Sequence, residues 1–171
     1  MHLPLKQIHN MRRLRIYILF VGAILFLPSC GPSAVFEQNK KLDNNSWDKK
    51  QPLVFLVNIT DTVHPHNVYI NVRNAALYPF SNLFMFVNAR LPHGEIFRDT
   101  IEITLQSPDG KWLGDGLGDI WDNRILFKPN VRFPQTGEYR FELYQAMRVN
   151  PLPGIMDAGI RIEKAAITAK N

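Results

Sequence analysis

The chain predicts an all-β domain, a single β-sandwich of jelly-roll or immunoglobulin-like type, and three observations carry that expectation. From Leu53 onward, apolar residues either alternate with polar ones or run in bursts of strand length. Turn-forming residues separate the bursts, Ser107-Pro108-Asp109-Gly110 being the clearest case. No segment after Cys30 carries an apolar stripe of 3.6-residue period bounded by helix caps.

Taken in order, Leu53–Ile59 is a continuous apolar run that places Phe55, Val57 and Ile59 on one face, as a buried strand requires. Val68, Ile70 and Val72 alternate with Tyr69, Asn71 and Arg73. Residues 83–87 form a second buried run, and Ile101, Ile103 and Leu105 alternate with Glu102, Thr104 and Gln106. Ile125–Phe127 reads as a short strand, and Ile160 and Ile162 mark the last. In Phe133-Pro134-Gln135-Thr136-Gly137-Glu138-Tyr139 a glycine turn feeds an alternating strand (Tyr139, Phe141, Leu143), and the tyrosine ring is expected to close one end of the core.

The amino terminus carries a different signal. A basic cluster (Arg12, Arg13, Arg15) precedes an apolar run from Ile16 to Phe26, and Leu27-Pro28-Ser29-Cys30 follows. That order is a secretory signal peptide, and a cysteine just after the small residue makes it the lipoprotein kind. Residues 1–29 are then the removed signal, with Met11 an alternative start, and Cys30 carries the lipid. The apolar run falls short of the roughly 20 residues that span a bilayer, so anchoring by acyl chains is expected. The competing readings are an uncleaved membrane anchor and a structural or intermolecularly paired thiol. Residues 30–50 are polar and aperiodic and read as a tether, with Trp47 docking onto a domain of residues 51–171.

Cleavage changes the electrostatics. The formal charge of +5 comes from 20 basic and 15 acidic residues. Lys6, Arg12, Arg13 and Arg15 leave with the signal, so 16 basic residues face 15 acidic ones in the mature chain, which removes the electrostatic case for nucleic acid. Cys30 is the only cysteine, so no disulfide within the chain can staple the domain, and its stability must come from a packed core.

Each candidate site has a plainer account beside the functional one. In the stretch Asp109–Asp119, acids spaced by glycines could supply oxygen ligands to calcium, but the spacing departs from an EF-hand and lacks its closing glutamate. A long turn with solvated acids explains the same residues. His64-Pro65-His66 with Asp61 offers a minimal metal site or a solvated turn. Trp47, Trp112 and Trp121 suit either a sugar-stacking platform or packing. Neither metal nor cofactor is expected. Catalytic signatures are absent from the sequence: no Gly-x-Ser-x-Gly elbow, His-Glu-x-x-His helix, phosphate loop or dinucleotide fingerprint occurs.

Several phrases, in order and over most of the mature chain, resemble the GldH family of gliding-motility-associated lipoproteins from Bacteroidetes. They include Val57-Asn58-Ile59-Thr60-Asp61, Tyr69-Ile70-Asn71-Val72-Arg73-Asn74, Tyr78-Pro79-Phe80-Ser81-Asn82-Leu83 and Pro108-Asp109-Gly110-Lys111-Trp112-Leu113-Gly114. Asp99-Thr100-Ile101-Glu102, Gly116-Leu117-Gly118-Asp119-Ile120, Phe133-Pro134 through Gly137-Glu138-Tyr139, Gln145-Ala146-Met147-Arg148 and Leu152-Pro153-Gly154-Ile155 complete the set. The resemblance implies a lipoprotein of a surface-motility apparatus linked to type IX secretion, and it implies no reaction or ligand.

The reading that follows is a non-enzymatic lipoprotein, part of a cell-envelope machine, with protein partners among gliding or type IX secretion components. No acidic cluster follows Cys30, and Gly31 is not the aspartate that retains proteobacterial lipoproteins at the inner membrane. The outer membrane, with the domain facing the periplasm, is therefore expected. Lys111, Trp112, Asp115, Asp119 and Trp121 form the expected partner-contact loop, since glycine-rich loops on a rigid sandwich commonly carry binding residues. The alternative is a glycan- or peptidoglycan-binding module. It requires Trp112 and Trp121 to be exposed on one face about a sugar repeat apart.

Overall fold

In β3 and β9 burial alternates with the sequence, and the inward faces of the strands build two antiparallel sheets packed face to face. The computed structural model describes residues 34–166, so the signal segment and Cys30 lie outside the described residues. The strands are β1 (Ala34–Lys41), β2 (Ser46–Trp47), β3 (Leu53–Ile59), β4 (His66–Ala75), β5 (Asn82–Arg90) and β6 (Ile96–Thr104). They continue with β7 (Asp115–Leu117), β8 (Ile120–Val131), β9 (Gly137–Gln145), β10 (Leu152–Pro153) and β11 (Ile155–Lys164). One sheet runs β1-β11-β4-β8-β7 and the other β3-β9-β5-β6, while β10 pairs with β2 as a small ribbon. A single 3-10 turn at Asp43–Asn45 is the only helical element among the described residues.

The core lies between the two large sheets. Phe55, Val57 and Ile59 of β3 and Phe141 and Leu143 of β9 face Val68, Ile70 and Val72 of β4 and Ile160 and Ile162 of β11. Burying each such side chain contributes about 1.5–3 kcal/mol. Tyr139 closes one end as expected. Its ring packs edge-on against Phe133 at 5.0 Å between centroids, and its hydroxyl donates to the Gln135 carbonyl at 2.9 Å.

One expectation needs correction. The stretch read as a tether contains β1 and β2, so the sandwich begins at Ala34 and not at residue 51. β1 escapes a periodicity search because it is an edge strand in which only Phe36 and Lys40 are even half-buried. It is held instead by its backbone ladder to β11, from Ala34–Glu163 to Lys41–Asp157. Trp47 does dock: it is fully buried, and its indole N–H donates to the Gln51 carbonyl at 3.1 Å.

Register gives the sandwich two distinct ends. Ala34 lies opposite Glu163, and the neighbouring pairs Glu163–Asn67 and His66–Val131 carry that level across β11, β4 and β8. Phe133 and Tyr139 close this end. At the other end, Asn74 lies opposite Trp121 and Ile155, near Trp47 and β10. The ten residues of β4 separate the two ends by about 30 Å.

Candidate functional site

The Asp109–Asp119 stretch is the crossover from one sheet to the other at the Trp47 end. Leaving β6, the chain folds back on itself, Gly110 N–H returning to the Ser107 carbonyl and Ser107 N–H to the Lys111 carbonyl, each at 2.9 Å. Gln106 bridges Trp112, and the Leu113 N–H reaches the Leu105 carbonyl at 2.9 Å. The chain then forms β7, which pairs Asp115 with Asp122, Gly116 with Trp121 and Leu117 with Ile120. Gly116 is required here: a Cβ would fall 2.1 Å from the Trp121 ring.

This crossover brings Trp112 and Trp121 together. Their rings stack at 6.3 Å between centroids with 24° between planes. Both are half-buried, and Trp112 packs against the core. The glycan-platform geometry, with two indoles exposed and a sugar repeat apart, is therefore not the arrangement found, because the rings cover each other. Lys111, Asp115 and Asp119 surround the stack in solvent-exposed positions. The Asp119 carbonyl accepts from Ala76 N–H at 2.8 Å, fastening the loop to the end of β4.

The acids of the loop do not converge. Asp109 accepts the Ser107 hydroxyl at 2.5 Å, which holds its carboxyl below the usual range, while Asp115 sits on β7. No three His, Cys, Asp or Glu side chains come together as metal ligands among the described residues. At the opposite end, His64 and His66 part company. His64 Nδ1 lies 2.8 Å from Asp61, and Asp61 also takes Lys164 at 2.7 Å. His66 points inward instead, fully buried, with its ring 5.4 Å from that of Phe133 and neither nitrogen hydrogen-bonded. The Pro65 turn reverses the expected side-by-side imidazoles by giving one to solvent and one to the core.

A polar cluster that sequence reasoning missed covers the outer face of the sheet containing β4. Arg73 binds Asp122 at 2.6 Å and Asp157 at 3.3 Å. Asn71 donates to Glu37 and Asn39, both at 3.2 Å, and Arg124 donates to Glu37 at 3.1 Å. Arg161 pairs with Glu37 as well. Gly159 opens the depression, since a Cβ there would lie 1.9 Å from Asn39 Oδ1 and 2.4 Å from the Gln38 carbonyl. Burial raises the Asp157 carboxyl, against the opposing pull of Arg73. Burial likewise raises that of Glu37, but Arg161, Asn71 and Arg124 outweigh it and the net shift is downward. The signal was present in the outward positions Asn71, Arg73, Asp122 and Arg124, but it needs the register to assemble.

Comparison with known proteins places these features in a family context. Residues 34–162 match the family described as GldH lipoprotein. The chain is 33% identical over 154 residues to the "Gliding motility lipoprotein GldH homolog" of Christiangramia forsetii, covering 86% of this chain and 94% of that protein. It is 34% identical over 154 residues, with the same coverage of both chains, to the "Gliding motility lipoprotein GldH" of Flavobacterium johnsoniae. No solved structure matches. The match begins at Ala34 and so takes in β1, the strand that composition alone had read as tether.

Proposed function

Because the chain belongs to the GldH lipoprotein family, and is on that account a membrane-anchored lipoprotein, we propose that it is a non-enzymatic subunit of a cell-envelope machine. That machine resembles the gliding-motility and type IX secretion apparatus. Cys30 carries the anchor, the outer membrane holds it, and the domain faces the periplasm. The crossover bearing Lys111, Trp112, Asp115, Asp119 and Trp121 is the partner-contact surface.

The polarity of the sandwich is the observation that supports this surface. Cys30 is four residues from Ala34, and four extended residues reach at most about 14 Å. On the proposed anchoring at Cys30, the Ala34 end lies nearer the membrane, and the tryptophan crossover stands at the far end, about 30 Å of strand away. A rigid stem then presents a loop outward, with two aromatic rings and three charged side chains.

The test is crosslinked affinity purification of the tagged, lipidated protein from its own envelope, followed by mass spectrometry. Recovery of motility or secretion components, lost on Trp112→Ala, supports the subunit reading. Recovery of peptidoglycan fragments without protein favours a second reading, a glycan-binding module that does not use the self-covered Trp112–Trp121 stack. Its supporting observation is the polar depression around Asn39, Asn71, Arg73 and Asp157, whose planar amides, guanidinium and carboxylate suit hydroxyl groups.

A further inference from the structure

The two sheets do not close along their whole length. β6 is the edge of one sheet and, beyond the three residues of β7, β8 is the edge of the other. Between them lies a cleft of about 370 Å³. Its walls are apolar, drawn from both sheets: Val68, Val87, Ala89, Phe97, Phe127 and Phe133. This is the low end of the range of small-molecule sites, roughly 300–1,000 Å³, and suits one alkyl chain.

The mouth differs from the walls. Arg98, Lys128 and Arg132 border it with a single acid, Asp99. Asp99 pairs with Lys128, bridging the two sheets across the opening. Arg98 alternates with Phe97 and Asp99 along β6, so its side chain turns to the outer face beside Phe86 and Tyr144. Arg132 commits one N–H to the Val63 carbonyl, at 2.5 Å. The rim thus keeps the rest of the Arg132 guanidinium, next to the Lys128–Asp99 pair, for an anion above an apolar slot. Phe97 is more than half exposed beside it.

The cleft also lies at a particular place. Val131, Phe133 and Tyr139, which line it, belong to the same end of the sandwich as Ala34. We propose that this cleft binds the alkyl chain of a fatty-acid carboxylate drawn from the membrane surface, with Arg132 holding the head group. Its position facing the membrane rests on the anchoring at Cys30 proposed above, whereas the fit of chain and head group does not.

Ser33–Asn171 form one compact unit containing every described strand and the whole core, a size that folds alone, so that segment can be tested by itself. Saturated fatty acids of increasing length, and their methyl esters, are titrated against it by displacement of a fluorescent fatty acid. Affinity is expected to rise about fourfold per methylene until the slot is filled, then level off. The carboxylate is expected to bind about tenfold more tightly than its ester. Reversing the rim charge (Arg132→Glu), on the surface and away from the core, should erase the preference for the acid and keep the length dependence, whereas Arg98→Glu on the outer face should change neither. Ala89→Phe, which fills the slot, should abolish binding while a thermal melt reports that the domain still folds. Affinity independent of chain length, equal binding of acid and ester, or binding only to anionic phospholipid vesicles would overturn the proposal. None of these readouts depends on a protein partner, so a failed partner capture and a failed titration remain separate results.

Discussion

Trp112 and Trp121 share one stack although they belong to different segments, Trp112 to the stretch leaving β6 and Trp121 to β8. The pair ties the crossover to the sheet it is about to join. Stacked aromatic pairs contribute about 1 kcal/mol beyond the area they bury. A double-mutant cycle with Trp112→Ala and Trp121→Ala, read by urea unfolding, is therefore expected to give a coupling near that value. Additive single effects would mean the rings touch without supporting each other.

The backbone of β1 passes so close to β11 at Gly159 that no side chain fits. Gly159→Ala should push β1 outward and cost about 1–3 kcal/mol. Hydrogen exchange is the decisive readout: amides of 34–41 should lose protection first, while those of β4 and β9 keep theirs.

His66 makes the domain sensitive to mild acid. Burial lowers its pKa below the ordinary value of 6.5, with Asp61 pulling the other way and Lys164 adding to the drop. The unfolded chain then takes up a proton near pH 6.5 that the folded chain refuses. Stability is complete above that pH and falls as pH drops through the folded pKa, by up to about 1.4 kcal/mol per pH unit. His66→Leu should flatten this slope below pH 6.5, and should raise stability by about 1 kcal/mol by removing two unpaired ring nitrogens. Urea midpoints measured on both sides of that pH check both statements.

Removing the lipid acceptor should change location and leave the fold intact. Cys30→Ser is expected to abolish labelling by a palmitate analogue and to shift the protein out of the properly processed membrane fraction. A variant that stays in that fraction and supports the cellular phenotype would refute the anchor at Cys30.

Strands that bury one whole face were legible from sequence. β3 is the clearest case: Leu53–Ile59 was read with the observed bounds because Phe55, Val57 and Ile59 all enter the core. Of β8 the sequence shows only Ile125–Phe127, since the polar run Asp122-Asn123-Arg124 precedes it and Lys128-Pro129-Asn130 follows, at the register shift opposite His66 and Val68. β1 was missed because its support is main-chain pairing and the Glu37 ion pairs, neither of which leaves an apolar rhythm. At the crossover the sequence puts Lys111, Trp112, Asp115, Asp119 and Trp121 within one short stretch, but it does not give their geometry. Nothing in the spacing of Trp112 and Trp121 says that a turn at Gly118 folds one ring over the other. The apolar cleft was equally invisible: it depends on Phe97 and Phe127, 30 positions apart, lying on facing edges of two sheets.

With the anchor at Cys30 and the partner surface at the tryptophan crossover, as proposed above, β1 is the strand through which load on the anchor would pass. A pull from the membrane would enter at Ala34, with the partner holding the opposite end of the sandwich. The force then runs parallel to β1, and the rungs from Ala34–Glu163 to Lys41–Asp157 are strained together in shear. They cannot peel apart one after another, as they would if the pull entered sideways. A tensile link of this kind yields only when the whole ladder slips at once, so the edge strand mistaken for slack rope is the part of the domain best placed to transmit traction.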